Sequence, residues 1–255
     1  TFRHMQVVIL CGGLGTRLRE ETEFRPKPMV PILGKPVLEY IIEHLARYGV
    51  KEITVNVAFN HWKIENYFGD GHRFGVNIGY AYEGVREHGE IVPKPLGSAG
   101  GMRRIQDFSG FFDETTIVLF GDAIIDLDLQ AALFEHKTKG ALASVVTLEV
   151  PRDQVKNYGI VVADKEGRVT SFQEKPQGDS SWINGGFFVC EPSVLSRIEG
   201  DETPWESAPL ESLARDGQLG VHRHRGFWAA MDTLRDKRML EDLWARGQAP
   251  WKIWD

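Results

Sequence analysis

The chain has 255 residues, 42% of them hydrophobic and 26% charged, with a formal net charge of −6. This balance supports a sizeable globular core without disulfides or structural metal, and the acidic sign argues against a protein that grips nucleic acid through its backbone. Anionic small molecules remain open as partners, because a few placed cations set the local potential.

Residues 1–4 lack the apolar core of a signal peptide, and Met5 directly precedes the first strand, so those four read as an added remnant. The run Gln6 to Leu10 is short, rich in β-formers and ends in glycine, which predicts a buried strand. Apolar residues at helical spacing predict a helix over Val37 to Tyr48, with Gly49 at the C-cap position. A strand over Glu52 to Ala58, a helix over His61 to Phe68, and strands over Gly75 to Tyr82 and Thr116 to Phe120 follow. Alternation of this kind implies a mainly parallel sheet covered on both faces. After about residue 140 the pattern turns β-rich, with strands over 141–150, 159–163, 169–172, 187–190 and 219–222. His222 and His224 alternate on the last of these without a third metal ligand at matching spacing, which predicts a solvated face. An amphipathic helix over Thr233 to Arg246 and an aromatic tail, Trp251 to Trp254, close the chain.

No apolar stretch reaches the roughly 18–20 residues that span a bilayer, so no membrane partner is expected. Cys11 and Cys190 each lie in an apolar run and read as buried thiols of a reducing compartment, with the cytoplasm as the expected location. No linker composition interrupts residues 5–255, which are expected to form one unit with two lobes, about 5–140 and about 141–255.

The first β-turn carries the strongest chemical signal. The segment Leu10-Cys11-Gly12-Gly13-Leu14-Gly15-Thr16-Arg17-Leu18 lets the backbone approach an anion and point several N–H groups at it. Arg17 adds a planar cation suited to phosphate oxygens. A P-loop is excluded, because the only Gly-Lys pair, Gly34-Lys35, is followed by Pro36. A dinucleotide fingerprint is excluded too, because Leu18 stands where its third glycine belongs. Downstream, Pro26 and Pro28 stiffen the backbone around Lys27.

Gly12-Gly13-Leu14-Gly15-Thr16-Arg17-Leu18 followed by Pro26-Lys27-Pro28 resembles the signature of the sugar-phosphate nucleotidyltransferases. The resemblance runs over nearly the whole chain from Met5. Its C-terminal part is similar to glucose-1-phosphate cytidylyltransferases, through Ser171-Phe-Gln-Glu-Lys-Pro176, Ile183-Asn-Gly-Gly-Phe-Phe188, Gly226-Phe-Trp-Ala-Ala-Met-Asp-Thr-Leu-Arg-Asp-Lys237 and Ala249-Pro-Trp-Lys252. The fold this resemblance implies is α/β, a Rossmann-like, mainly parallel mixed sheet flanked by helices. A nucleotide-binding lobe would be followed by a smaller, β-rich sugar-binding lobe.

The implied reaction joins a nucleoside triphosphate to a sugar 1-phosphate and releases pyrophosphate, a matter of positioning and charge neutralisation. Arg17 and Lys27 would be the catalytic cations, on the pyrophosphate and the α-phosphate respectively. Leu10, Gly12, Gly13, Gly15, Thr16, Gly97 and Gly121 would line the nucleotide. Asp122 and Asp232 would hold one Mg²⁺, an ion that suits one or two carboxylates plus phosphate oxygens and water. Glu174, Lys175, Asn184 and the backbone at Gly159 would hold the sugar phosphate, while Trp228 fits either the wall of that pocket or core packing. The resemblance also implies a homo-oligomer.

Glu83 falls where the family reads the base. A carboxylate there accepts from the amino group of cytosine or from guanine, and repels the carbonyl of uracil or thymine. CTP with glucose 1-phosphate is the preferred pair. Pro95-Leu-Gly-Ser-Ala-Gly-Gly101 resembles the loop of guanylyl- and uridylyltransferases, which keeps GTP with mannose or heptose 1-phosphate as the alternative. A nucleotide-sugar sensor without turnover is a third reading. It should have lost Arg17, Lys27 or one aspartate, and all four are present.

Overall fold

The computed structural model describes residues 5–13, 15–94, 96–151, 155, 158–173 and 182–252. In chain order the principal strands are β1 (Gln6–Leu10), β2 (Glu52–Val57), β3 (Asn77–Tyr82), β4 (Gly84–Glu87), β5 (Glu90–Pro93), β6 (Thr116–Phe120), β7 (Ala123–Ile125), β8 (Ala143–Glu149), β9 (Ile160–Ala163), β10 (Val169–Gln173), β11 (Trp182–Cys190), β12 (Leu219–His224) and β13 (Trp228–Ala230). The principal helices are α1 (Val37–Arg47), α2 (His61–Phe68), α3 (Ser98–Ser109), α4 (Leu129–Lys139), α5 (Ala208–Arg215) and α6 (Leu234–Ala245). The result is an α/β mixed sheet with flanking helices, as expected.

Two compact units form. The first comprises Thr1–Leu96, Phe120–Asp126 and Gly226–Asp255, the second Gly97–Leu119 and Leu127–Arg225. This differs from a single division near residue 140, and the cause is local pairing. Strand β13 runs antiparallel to β7, Ala230 opposite Ala123 and Trp228 opposite Ile125, which returns the C-terminal segment to the first unit. The aromatic tail then locks it there. Trp251 is fully buried and meets Tyr40, Phe227 and Trp244 at centroid separations of 6.4, 5.2 and 6.2 Å.

In the first unit β1, β2 and β3 are parallel, with Gln6 opposite Glu52 and Glu52 opposite Asn77. The near-continuous burial of β1 and β2 explains why they read as apolar runs rather than alternating ones. Helix α1 buries Val37, Leu38, Ile41, Ile42 and Leu45, and each such side chain contributes about 1.5–3 kcal/mol. The chain leaves it through Gly49 at φ +85°, a left-handed turn that a Cβ would strain.

The second unit is mostly antiparallel. Strand β11 pairs antiparallel with β6, β8 and β9, and β8 pairs parallel with β12. Only 187–190 of β11 was expected from sequence, because Gly185-Gly186 reads as a break. The strand instead continues through a register shift opposite Val145–Thr147, with Gly186 at φ +68°. Among the described residues no helix is long and apolar enough to cross a membrane. Cys11 and Cys190 are free and buried.

Candidate active site

Every residue of the acidic and cationic centre belongs to the first unit. Strand β6 ends at Phe120, and Gly121 donates its N–H to the Leu10 carbonyl at 3.1 Å. A Cβ on Gly121 would lie 2.6 Å from the Cys11 Sγ, so only glycine lets this crossing approach the first loop so closely. Asp122 follows. Its carbonyl accepts the Met231 N–H at 2.8 Å, which extends the β7–β13 ladder by one step and sets Asp232 beside it. The start of α6 fixes Asp232 from the other side. Thr233 and Asp236 form a capping box, and Asp236 also accepts the Asp232 N–H at 3.1 Å.

Lys27 stands on a single 3-10 turn, Lys27–Met29, entered through extended Pro26. Its ammonium donates to Asp122 Oδ2 at 2.8 Å and also to Asp232 Oδ1. Two carboxylates far apart in the sequence therefore converge on one ammonium. Burial alone would lower the Lys27 pKa, but the carboxylates, Asp122 above all, outweigh it and hold the ammonium above its ordinary value. It is charged throughout the neutral range.

The glycine loop lies against this centre. Gly15, at φ +61°, packs so that a Cβ would come 3.1 Å from the Lys27 Cβ, and its carbonyl accepts the Thr22 hydroxyl at 2.9 Å. Among the described residues the N–H groups of Gly12, Gly13 and Gly15 donate to no protein acceptor. Space beside Gly13 is open. Thr16 and Arg17 are exposed on the turn Thr16–Leu18, and no described carboxylate pairs with Arg17. Leu10 is buried beneath the loop. Among the described residues, loop donors without a protein acceptor, a guanidinium without a carboxylate and a charged lysine are the groups that a polyanion would need.

Two acidic oxygens on one cation also fit the expected metal. Mg²⁺ takes one or two carboxylates and fills its remaining positions with phosphate oxygens and water, and both donors here are hard oxygens. Among the described residues no group of three or more His, Cys, Asp or Glu could hold an ion, so the substrate would supply the balance.

The other expected site residues stand as follows. Glu83 is buried under the glycine loop. Its Oε1 accepts from Asn56 Nδ2 at 2.7 Å, and its Oε2 from the Leu96 N–H at 2.9 Å. Asn56, a polar residue inside the apolar strand β2, is the signal that sequence reading passed over. Gly97, in the second unit, donates its N–H to Asp201 O at 2.9 Å, and a Cβ there would lie 2.3 Å from Thr203 O. Close packing accounts for that glycine. Asn184 is buried on β11, with its N–H on Gly159 O and its Oδ1 accepting from Gly186 N, both at 2.9 Å. Trp228 is half-buried on β13. Glu174 and Lys175 lie outside the described residues. The histidines expected on a solvated face are not free there. His222 meets Glu135 Oε2 at 2.5 Å, and His224 is buried.

The profile of the nucleotidyl transferase family matches residues 6–221, so the chain belongs to that family. It is 39% identical to the glucose-1-phosphate cytidylyltransferase of Salmonella typhimurium over 98% of this chain and 100% of that protein. It is 49% identical to the UTP–glucose-1-phosphate uridylyltransferase of Synechocystis over 76% of this chain, a match that spans only 51% of that longer relative. In three dimensions it is similar to HddC of Yersinia pseudotuberculosis, with a TM-score of 0.77 at 23% identity, covering 94% and 99% of the two chains. That likeness bears on the fold alone.

Proposed function

We propose that the protein transfers a cytidylyl group from CTP to glucose 1-phosphate, giving the nucleotide sugar and pyrophosphate. The convergence of Asp122 and Asp232 on the Lys27 ammonium beside a donor-lined loop carries this reading. The choice of substrates is supported by likeness to a cytidylyltransferase along its full length, including the segment after residue 221.

The first unit would bind the nucleotide. Gly12, Gly13, Gly15 and Thr16 would cradle its phosphates with backbone N–H groups, and Arg17 would hold the departing pyrophosphate. Lys27 would meet the charge that builds on the α-phosphate as a sugar-phosphate oxygen attacks in line. Asp122 and Asp232 would hold Mg²⁺, which when bound neutralises charge on the phosphate oxygens. The lysine is then shared between the carboxylates and the substrate, and the paired acids keep it charged and aimed. Asn184 and Gly159 of the second unit, with Glu174 and Lys175, would bind the sugar phosphate. We read the protein as a cytoplasmic homo-oligomer that acts on small anions.

A matrix of CTP, UTP, GTP, dTTP and ATP against glucose, mannose and heptose 1-phosphates, scored by product mass, tests the assignment. CTP with glucose 1-phosphate is expected to dominate. A preference for UTP or GTP overturns the substrates but spares the reaction, and silence across the matrix with ligand binding intact favours a sensor.

A further inference from the structure

We propose that Glu83 is a positioning residue whose buried carboxylate holds the phosphate-binding loop open for any nucleoside triphosphate, rather than selecting the base. The inference rests on the transferase reading above and deepens it.

Glu83 ends up beneath the loop because its backbone is fixed on both sides. Its N–H donates to Val57 O at 2.8 Å, and its carbonyl accepts the Lys94 N–H at 3.2 Å. The side chain then turns inward and is only 4% exposed. A Cβ on Gly12 would lie 2.5 Å from Cδ, Oε1 and Oε2 alike, so the carboxylate fills the space that this glycine vacates. Both oxygens accept from the protein, one from Asn56 Nδ2 and one from the Leu96 N–H. Asn56 joins the same bracket by a second bond, since its carbonyl takes the Cys11 N–H at 2.9 Å. One carboxylate therefore ties together the entry to the loop, the end of β2 and the segment leading to Leu96.

The chemistry of the two donors explains why an acid stands there. A glutamine offers one oxygen and one NH₂, so one of the two N–H partners would face another donor, whereas an ionised carboxylate accepts from both. Placing a negative charge under an anion cradle is electrostatically unfavourable, and the geometry it enforces must offset that cost. Cys11, at the mouth of the bracket, is a built-in reporter. Its thiol is buried, and its pKa is raised by burial, then by Asp122 and Glu83. Cys190, buried in the second unit, serves as control.

The test combines Glu83→Gln with two readouts. The first is kcat/KM for CTP and UTP. The second is the rate of thiol alkylation at Cys11 and Cys190, resolved by peptide mass. Expected are a loss of about tenfold or more for both nucleotides at an unchanged CTP-to-UTP ratio, and labelling at least about tenfold faster at Cys11 alone. Gly12→Ala should behave alike, and combining Gly12→Ala with Glu83→Gly should cost less than the two losses multiplied, because the smaller side chain makes room for the methyl group. A shift confined to one nucleotide makes Glu83 a base contact and overturns the proposal. Unchanged kinetics, or Cys190 labelled as fast as Cys11, overturns it equally. Should Glu83→Gln not fold, Asn56→Ala removes one of the two donors and carries the same readouts. If the wild type proves inactive with every nucleotide, the transferase reading fails, yet the contrast between Cys11 and Cys190 still decides the role of Glu83.

Discussion

Two clusters of ionisable groups in this protein look alike on paper and differ in kind. In the first unit Lys27 is held by Asp122 and Asp232, whose side chains stay 30% and 22% exposed. In the second unit His136 is 1% exposed, with Nδ1 on Ser144 Oγ at 2.8 Å and Nε2 on Glu191 Oε1 at 2.9 Å. Serine, histidine and glutamate in a row suggest a nucleophile, but Ser144 is buried, and Glu191 is further occupied by Lys137 at 2.7 Å and Thr115 at 3.0 Å. The difference is one of supply. The lysine centre sits beside loop donors without protein partners among the described residues, whereas in the histidine network each named group already has one. On the proposed reading, chemistry belongs to the first, and stability to the second.

This contrast fails if substitutions do not separate activity from stability. Lys27→Ala or Asp232→Asn should lower kcat/KM by about 10² or more, as loss of one transition-state partner does, while the melting temperature changes little. Steady-state kinetics with calorimetry checks both. Arg17→Ala should follow the same pattern, because its guanidinium has no described carboxylate partner to lose.

His136→Ala should do the reverse. It leaves the buried Ser144 hydroxyl without its histidine partner, at about 1–3 kcal/mol, and turnover per folded molecule should stay within about twofold. Urea unfolding alongside kinetics separates the two quantities, and a large loss of turnover at intact stability would put the network into the chemistry.

The smallest effect is a dependence on pH. Burial first, against the pull of Glu191, lowers the His136 pKa, so the folded state binds its proton less readily than the unfolded chain. The stability this contributes is complete above about pH 6.5 and is lost as pH falls through the folded value. Despite burial, hydrogen bonds from Lys137, His136 and Thr115 lower the pKa of Glu191, which adds a further loss below about pH 4.5. The urea midpoint should therefore fall on acidification, and in His136→Gln the step between pH 7 and 5 should shrink.

The order of the principal strands and helices as far as β3 was legible in the residues themselves, because apolar periodicity and glycine placement are local, whereas α3, α4 and α5 were not anticipated. Helix α2 carries its expected ends, and β1 and β6 do as well. The donor-rich loop and the lysine between two prolines were legible for the same reason. Other elements were hidden. The short pair β7 and β13 has three residues on each side, too few for a periodic signal, and yet it carries Asp122 and Asp232 to one ammonium. The same holds for Gly97 and Glu83. A glycine after a loop reads as a ligand contact until a neighbouring carbonyl is seen in the space of its missing Cβ. A carboxylate at a strand end reads as a base contact, and its donors within the protein are seen only in the fold. Composition and spacing thus specified which chemical groups the protein owns and the local shape of the chain around each. Which groups meet, and which are already satisfied, depends on non-local pairing, and only folding resolves that.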